Sequence, residues 1–396
     1  MEQLLEELLE ASQPYTQNGK LADYIPELLK ADPNALGIYV MRPDGKRSWA
    51  GDCTNKFTIQ SVVKPILLLQ ALLDNGIDVV RSHVGVEATG KPFDAINAIN
   101  TNEKALYSEH LNPMVNMGAI LMCTLIHGDT YQEKFDRLLA LTRTLADNPD
   151  IVVDEAVYQS EKATGSKNRA LAYLLKTYGM IEGDVEEVLD CYFRACSIQV
   201  TCKDLARMGA VLANRGRAPG SDERIFPAKF AQYVNAILLT CGMYDGSGDF
   251  AVRVGIPAKS GVGGGIMAVV PGKMGIGIFS PALDQKGNSV AGIYMLEKLS
   301  GNRVNYAMVT IGGARRDVDD DLRRELLDMC DKLQKPLDRM VELALNDKTV
   351  AMRTKGVGLL PTADAIRLGA VGPHARASGV SVDVRRDMPY SCYDEF

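Results

Sequence analysis

The sequence contains few of the residues that metal sites and nucleic-acid surfaces require. Only four histidines occur among 396 residues, and neither they nor the eight cysteines show the spacing of metal ligands. The sequence therefore predicts no metal and no cofactor. Basic residues are outnumbered by acidic ones, 44 to 50, which argues against a nucleic-acid partner. No apolar run approaches the roughly 20 residues of a membrane span, so no membrane association is expected.

The length and the first residues indicate an ordinary globular protein. At about 100 to 200 residues per domain, 396 residues predict two or three units. The first ten residues are acidic and pair their leucines at helical spacing, which predicts an amphipathic helix rather than a secretion signal. Without metal spacing, the cysteines are expected to be buried thiols of a reducing compartment. Together these features predict a cytoplasmic protein.

Strand patterns occur near both ends of the first 300 residues, and helical patterns fill the middle. Residues 35–42 and the stretch through Trp49 predict a hairpin around the turn at 43–45. Helical periods dominate from about 90 to 245, and strands return after Val252. The order predicts an α+β fold in which an antiparallel sheet, completed by the later strands, accompanies a helical layer.

Ser61 and Lys64 form an SxxK motif at the start of an apolar helix predicted over residues 60–74. Positions i and i+3 share a helix face, so the amine of Lys64 can reach the hydroxyl of Ser61. A lysine surrounded by leucines loses its proton more readily and can act as a general base for a serine nucleophile. The motif is also common by chance, and an ordinary buried helix explains it equally well.

A second motif, Lys259-Ser260-Gly261, ends a late strand and precedes the glycine-rich residues 262–265. An SxxK helix followed by a K[ST]G strand is typical of serine β-lactamases and penicillin-binding proteins. A tight hairpin would also explain the glycines. No GxxxxGK[ST] pattern is present, which argues against a phosphate loop.

Residues 1–300 as a whole resemble the serine-dependent glutaminases. This family has a β-lactamase/DD-peptidase-like fold, an antiparallel sheet plus a helical subdomain. The matching blocks occur in the family's order, at 57–65, 112–120, 160–161 with 168–170, 192–198, 241–245 and 259–266. The resemblance implies hydrolysis of L-glutamine to L-glutamate and ammonia, in a homo-oligomer that is a dimer or a tetramer.

The resemblance also implies a catalytic role for several residues. Ser61 would attack the side-chain amide and form a γ-glutamyl ester. Lys64, with the phenol of Tyr192, would take the serine proton and return one to departing ammonia. Lys259 would polarise Tyr192 or the serine rather than touch the substrate. The backbone N–H groups of Ser61 and Val262 would form the oxyanion hole.

Glutamine is a zwitterion, so its pocket needs an anion and hydrogen-bond donors. Glu161 suits the α-ammonium, whereas Asn116, Asn168 and Tyr244 suit the α-carboxylate. Taken singly, each has another explanation: Asn116 as a helix cap, Glu161 as a solvated charge, Tyr192 and Tyr244 as core aromatics. A penicillin-recognising acylase or esterase is the alternative within the same fold. The acidic residue, the two asparagines and the lack of a secretion signal favour a cytoplasmic amino acid.

Residues 301–396 differ in character. They carry 15 basic and 15 acidic residues, and 11 of the basic ones are arginine, so the net charge of −6 lies in residues 1–300. A mainly helical extension is expected, with a long helical stretch over 318–346 that is broken at Pro336. The blocks 301–305, 311–317, 372–373 with 376–379, and 385–390 resemble the large catalytic subunit of energy-converting hydrogenases and the related subunit of respiratory complex I.

The paired CxxC motifs that hold nickel and iron in that hydrogenase family are missing from this stretch. An electron-transfer subunit is therefore disfavoured, and no active hydrogenase is expected. The sequence predicts a glutaminase domain at 1–300 joined to a hydrogenase-like fragment at 301–396, poorly ordered if its apolar helix faces lack their partners. An interaction module is the alternative.

Overall fold

A five-stranded antiparallel sheet is built from strands at both ends of the first 300 residues. The computed structural model describes residues 1–96 and 111–303, the last three by backbone alone, and these belong to the first of two units, Met1–Gly312 and Gly313–Phe396. The sheet has the order β2-β1-β7-β6-β5, and β3 pairs with β4 separately. The strands are β1 Gly37–Met41, β2 Arg47–Gly51, β3 Phe57–Thr58, β4 Gln199–Val200, β5 Ala258–Ser260, β6 Gly265–Val270 and β7 Met274–Phe279.

Helices occupy most of the chain between the two groups of strands, and one lies at each end. The helices of the described residues are α1 Glu2–Ser12, α2 Lys64–His83, α3 Asn116–Leu125, α4 Tyr131–Ala146, α5 Glu155–Thr164, α6 Ser166–Thr177, α7 Val185–Cys196, α8 Cys202–Ala213, α9 Ala228–Cys241, α10 Ser247–Arg253 and α11 Val290–Arg303. This arrangement confirms the predicted α+β architecture with its antiparallel sheet and helical layer.

The sheet separates two apolar clusters because successive strand residues point to opposite faces. Ile38 and Val40 belong to the cluster that contains α1 and α11, whereas Tyr39 and Met41 face the helical layer. Helix α8 lies close on that second face. A Cβ at Gly275 would lie 2.0 Å from the backbone nitrogen of Ala210, so only glycine permits this approach.

Helix α2 is the centre of the helical layer, and two expectations for it need correction. Ser61 precedes the helix in a 3₁₀ turn, Gln60–Val63, and α2 itself begins at Lys64. The predicted stop near Gly76 is a kink instead: Gly76 has a φ of 79°, and the helix resumes as far as His83. Glycine accepts this conformation because it has no Cβ.

The helical middle also contains a strand that periodicity did not predict. The two residues of β4 pair with β3 and bring residue 198 beside the segment that leads to Ser61. Six cysteines are free and buried, as predicted. Cys330, Cys392 and the predicted helix at 318–346 lie outside the described residues.

Candidate active site

Ser61 lies in a turn of strained backbone between β3 and α2. Its neighbour Gln60 has a φ of 48°, which is unusual for a residue with a side chain. The turn is fixed by hydrogen bonds from Ile59 N–H to the carbonyl of Ile198, at 2.8 Å, and from Val62 N–H to the carbonyl of Ile59, at 3.0 Å. Ser61 is 7% exposed. A strained residue held this firmly is typical of functional sites.

Lys64 is fully buried, and its ammonium nitrogen is bound by two oxygens. Nζ donates to Asn116 Oδ1 at 2.7 Å and to the carbonyl of Met114 at 3.1 Å, and it lies 5.8 Å from the centre of the Phe93 ring. Burial lowers the pKa of Lys64 to about 8, although nearby acidic groups oppose the shift. A neutral amine is therefore accessible near neutral pH. A direct bond to the Ser61 hydroxyl stays a prediction.

Asn116 connects Lys64 to the next element of the site. It is the first residue of α3, it is buried, and its Nδ2 donates to Asn168 Oδ1 at 2.8 Å. Asn168 projects from α6. No side-chain cap was found at the start of α3, so the helix-cap explanation of Asn116 is wrong. The two amides and the amine form one hydrogen-bonded row.

Glu161 is a buried carboxylate rather than a solvated helix charge, since it is only 5% exposed. Burial raises its pKa to about 8, while the amide of Gln60, 3.4 Å away, and the charge of Lys64 act in the opposite direction. These groups offset only part of the cost of burying a charge. A cationic ligand beside Glu161 would lower this pKa and favour the carboxylate form.

Tyr244 places its phenol beside Ser61. Burial raises the pKa of the phenol, whereas the Ser61 side chain and the backbone N–H of Val262 both lower it. Its hydroxyl is buried and makes no hydrogen bond of ordinary geometry within the described residues. The phenol therefore lies close to Ser61 and Val262, the two residues whose backbone N–H groups were predicted to form the oxyanion hole.

The backbone after β5 approaches the serine turn closely. A Cβ on Gly261 would lie 2.8 Å from the carbonyl oxygen of Ile59 and 3.4 Å from the Ser61 nitrogen, and one on Gly263 would lie 2.5 Å from the carbonyl of Thr58. Side chains at these positions would push the two segments apart. The glycines therefore allow Val262 to lie next to Ser61, and a tight hairpin is not the only reason for their presence.

Lys259 is fully buried at the end of β5. Its Nζ donates to the carbonyls of Ser260, at 2.7 Å, and Gly242, at 3.0 Å, and it lies 4.2 Å from the centre of the Tyr244 ring. Burial, and then the charge of Lys64, lower its pKa well below the usual value. The tyrosine ring that Lys259 contacts is thus that of Tyr244, whereas the resemblance implied that Lys259 polarises Tyr192 or the serine.

Tyr192 is buried on α7, 2% exposed. Burial is the main cause that raises the pKa of its phenol, followed by the neighbouring Cys196 and Glu161. These interactions place it on the Glu161 side of the site. The predicted partnership of Tyr192 with Lys64 stays a prediction.

Sequence reasoning missed three residues of this cluster: Gln60, Tyr24 and Cys196. Half-exposed Tyr24 carries its hydroxyl into the group, where burial, then Tyr244 and Glu161, raise its pKa. Burial and the charge of Glu161 likewise raise the pKa of the Cys196 thiol. Tyr24 belongs to an irregular segment without periodicity, and no sequence pattern reveals the strain at Gln60. Cys196 could have been found, since it lies one helical turn after Tyr192.

The described part of the chain contains neither a metal-binding cluster nor a membrane-spanning helix. Across residues 1–96 and 111–303, no three His, Cys, Asp or Glu side chains gather as a metal site would need. No helix in these ranges is long and apolar enough to cross a membrane.

Most of the chain is similar to known glutaminases. A family model described as glutaminase matches residues 19–306. The glutaminase of Clostridium tetani (strain Massachusetts / E88) is 54% identical over 300 residues, which cover 76% of this chain and 97% of that relative. Glutaminase 2 of Clostridium perfringens (strain 13 / Type A) has the same identity and coverage.

A solved structure agrees with these relatives. It is the covalent complex between a Bacillus subtilis glutaminase and 5-oxo-L-norleucine, formed by reaction with 6-diazo-5-oxo-L-norleucine. Its TM-score is 0.69 at 37% identity, covering 76% of this chain and 97% of that one.

A second family model, the 49 Kd subunit of respiratory-chain NADH dehydrogenase, matches residues 282–396. The resemblance of the last residues to a complex I subunit is thereby confirmed.

Proposed function

The chain belongs to the glutaminase family and is a glutamine amidohydrolase, and from this premise we propose that Ser61 is its nucleophile. The fold is the β-lactamase-like α+β fold that the sequence predicted. The observation that carries the proposal is the pairing of a fixed, buried serine with a lysine, three residues later, whose pKa burial lowers to about 8. The covalent complex of the Bacillus subtilis relative supports a nucleophile of this kind.

The first half of the reaction forms an ester and releases ammonia. Ser61 Oγ attacks the side-chain amide carbon of L-glutamine while its proton passes to neutral Lys64. The negative oxygen that forms is held by the backbone N–H groups of Ser61 and Val262. The carbon–nitrogen bond then breaks, and the amide nitrogen leaves as ammonia with the proton that Lys64 returns.

The second half restores the serine. Water attacks the γ-glutamyl ester, gives up a proton to Lys64, and displaces Ser61 Oγ, which recovers its proton as L-glutamate leaves. The resemblance pairs Tyr192 with Lys64 in these transfers, and Tyr244 brings a second phenol beside Ser61. Comparing kcat of Tyr192→Phe and Tyr244→Phe tests the pairing. A wild-type kcat in Tyr192→Phe would remove that residue from the proton path.

Substrate recognition requires one group for the α-ammonium of glutamine and others for its α-carboxylate. Glu161 binds the α-ammonium, and Asn116 and Asn168 bind the α-carboxylate. Tyr244, which the sequence also assigned to the α-carboxylate, has its phenol beside Ser61 and so at the amide end of the substrate. The first assignment is supported by the burial of the Glu161 carboxyl, whose hydrogen bond from Gln60 is long at 3.4 Å, so that a cationic ligand can stabilise its charged form. 4-Carbamoylbutanoate, which is glutamine without its amino group, gives a test: Glu161→Gln should reduce the wild-type preference for glutamine over this analogue by at least tenfold. An unchanged preference would contradict the assignment.

The nucleophile is tested by ammonia release from L-glutamine, with L-asparagine and a chromogenic cephalosporin as comparison substrates. Ser61→Ala should lose glutamine hydrolysis. Ser82→Ala, which changes an exposed serine near the other end of α2, should keep it. Glutamine hydrolysis retained in Ser61→Ala would disprove the nucleophile assignment.

The division of the chain at about residue 300 is also a proposal. The glutaminase match ends at 306 and that of the respiratory subunit extends to 396, which supports separate origins for the two parts. Limited proteolysis with an ammonia assay distinguishes the cases. Rapid cleavage near 300 with full activity supports a glutaminase domain with a dispensable extension, whereas a protected extension supports an interaction module. Cytoplasmic location and a dimer or tetramer stay predictions.

A further inference from the structure

The residue that carries the phenol beside Ser61 has an unfavourable backbone. Tyr244 has a φ of 55°, the left-handed region that side chains other than glycine rarely enter. It begins a 3₁₀ turn, Tyr244–Gly246, directly before α10. A conformation of this kind persists only where its surroundings impose it.

The side chain of Ser247 bonds to the backbone on both sides of this strained position. Its Oγ accepts from the N–H of Met243 at 3.0 Å and donates to the carbonyl of Tyr244 at 2.8 Å. Ser247 is 5% exposed. From another segment, Asn288 Nδ2 donates to the carbonyl of Met243 at 3.3 Å, and Asn288 is 1% exposed. Buried bonds of this type are costly to lose because water does not replace them.

The position of the phenol depends on the backbone of this turn more than on hydrogen bonds made by the Tyr244 side chain. The Tyr244 ring packs 4.6 Å from the Phe93 ring and 4.2 Å from Lys259 Nζ. Among the described residues, its hydroxyl has no hydrogen-bond partner that would hold it in place. Relaxation of the backbone toward the right-handed region would therefore turn the hydroxyl away from Ser61.

We propose that Ser247 is a positioning residue of the reaction, whose hydroxyl holds the turn that directs the Tyr244 phenol at Ser61 and the Val262 N–H. This inference rests on the proposed role of Tyr244 in the glutaminase site. Ser247 acts through Tyr244 and touches no reacting atom. Its contribution should disappear when the phenol is removed.

A double-mutant cycle on the full-length protein tests the inference. Ser247→Ala should lower kcat/KM for L-glutamine about tenfold, since two modest hydrogen bonds are lost. The kinetic constant that changes, kcat or KM, should be the one that changes in Tyr244→Phe. In the Tyr244→Phe background, the second change at Ser247 should alter kcat/KM by less than about twofold. Ser12→Ala is the matched control, because its Oγ donates to the carbonyl of Leu8 at 2.6 Å in buried surroundings on α1.

Each outcome decides between the alternatives. An equal loss from Ser247→Ala in both backgrounds would overturn the inference, because a merely structural effect does not depend on the phenol. Wild-type activity in Tyr244→Phe would also overturn it. Glutamine hydrolysis that survives Ser61→Ala would instead contradict the proposed function. If Ser247→Ala fails to fold, Asn288→Ala acts on Met243 from the other side and should show the same dependence on the Tyr244 hydroxyl.

Discussion

Replacing Glu161 with glutamine should stabilise the folded protein while it impairs substrate binding. The carboxylate is buried, and its pKa is raised from 4.5 to about 8, so the folded state binds its proton more tightly than the unfolded chain does. Stability that is present below pH 4.5 is therefore lost as the pH rises toward 8. Glutamine is nearly isosteric and neutral, so the variant avoids this loss.

The size of the effect follows from the two pKa values. Each pH unit between them costs the folded state about 1.4 kcal/mol. At pH 7.5 the raised pKa of Glu161 therefore costs the folded state roughly 4 kcal/mol, and the advantage of Glu161→Gln should grow by about 3.5 kcal/mol between pH 5 and pH 8. The raised pKa of about 8 already includes the opposing attraction of Lys64. A buried acid retained at this cost is expected to serve a ligand.

Urea unfolding at several pH values measures the effect. The single tryptophan, Trp49, lies in β2, so its fluorescence reports the first unit and not the extension. Glu155→Gln is the matched control, because Glu155 is exposed in the first turn of the same helix, and its variant should follow the wild type at every pH. A stability difference between Glu161→Gln and the wild type that does not change with pH would refute the reasoning, as would a less stable variant at pH 8.

Three further predictions follow from contacts in the site. Asn116→Asp would place a carboxylate 2.7 Å from Lys64 Nζ and raise the pKa of Lys64. Because less neutral amine is then present, kcat/KM at pH 7.5 should fall more than tenfold and partly recover at higher pH. A pH–rate profile identical to that of the wild type would contradict this prediction. Gly261→Ala should lower kcat/KM by about ten- to a hundredfold, because the new Cβ would lie 2.8 Å from a carbonyl oxygen. Gly248→Ala is the control and should remain active, since nothing lies within 4 Å of its new Cβ. Equal activities of the two variants would disprove the close-approach argument. A protein ending at residue 306 should keep the full-length kcat, and a large loss would assign the extension a role in catalysis.

The sequence was informative where chemistry depends on local spacing. Ser61 and Lys64 stood out because they are three positions apart, which is one helical turn, and the apolar stretch at residues 35–42 predicted a strand. The family resemblance then singled out Glu161 and Tyr244, whose roles spacing alone would not have suggested. These predictions depend on pattern and do not require knowledge of the backbone's exact path.

The position of the Tyr244 phenol could not be predicted in the same way. Its place beside Ser61 depends on the left-handed backbone at Tyr244 and on the strained one at Gln60. Both conformations are imposed by tertiary contacts and contradict local preference, so sequence patterns give no sign of them. The pKa values of Lys64 and Glu161 likewise arise from burial by residues far apart in the chain.

The strand order has a consequence for synthesis on the ribosome. Strand β1 is made first, yet it lies between β2 and β7, and the β7 partner is completed only at Phe279. A nascent chain therefore carries an unfinished sheet until β7 is made, and the pairing that completes it joins residues about 240 positions apart. Residues that follow β7 delay release from the ribosome, which gives the sheet time to pair before the chain is freed.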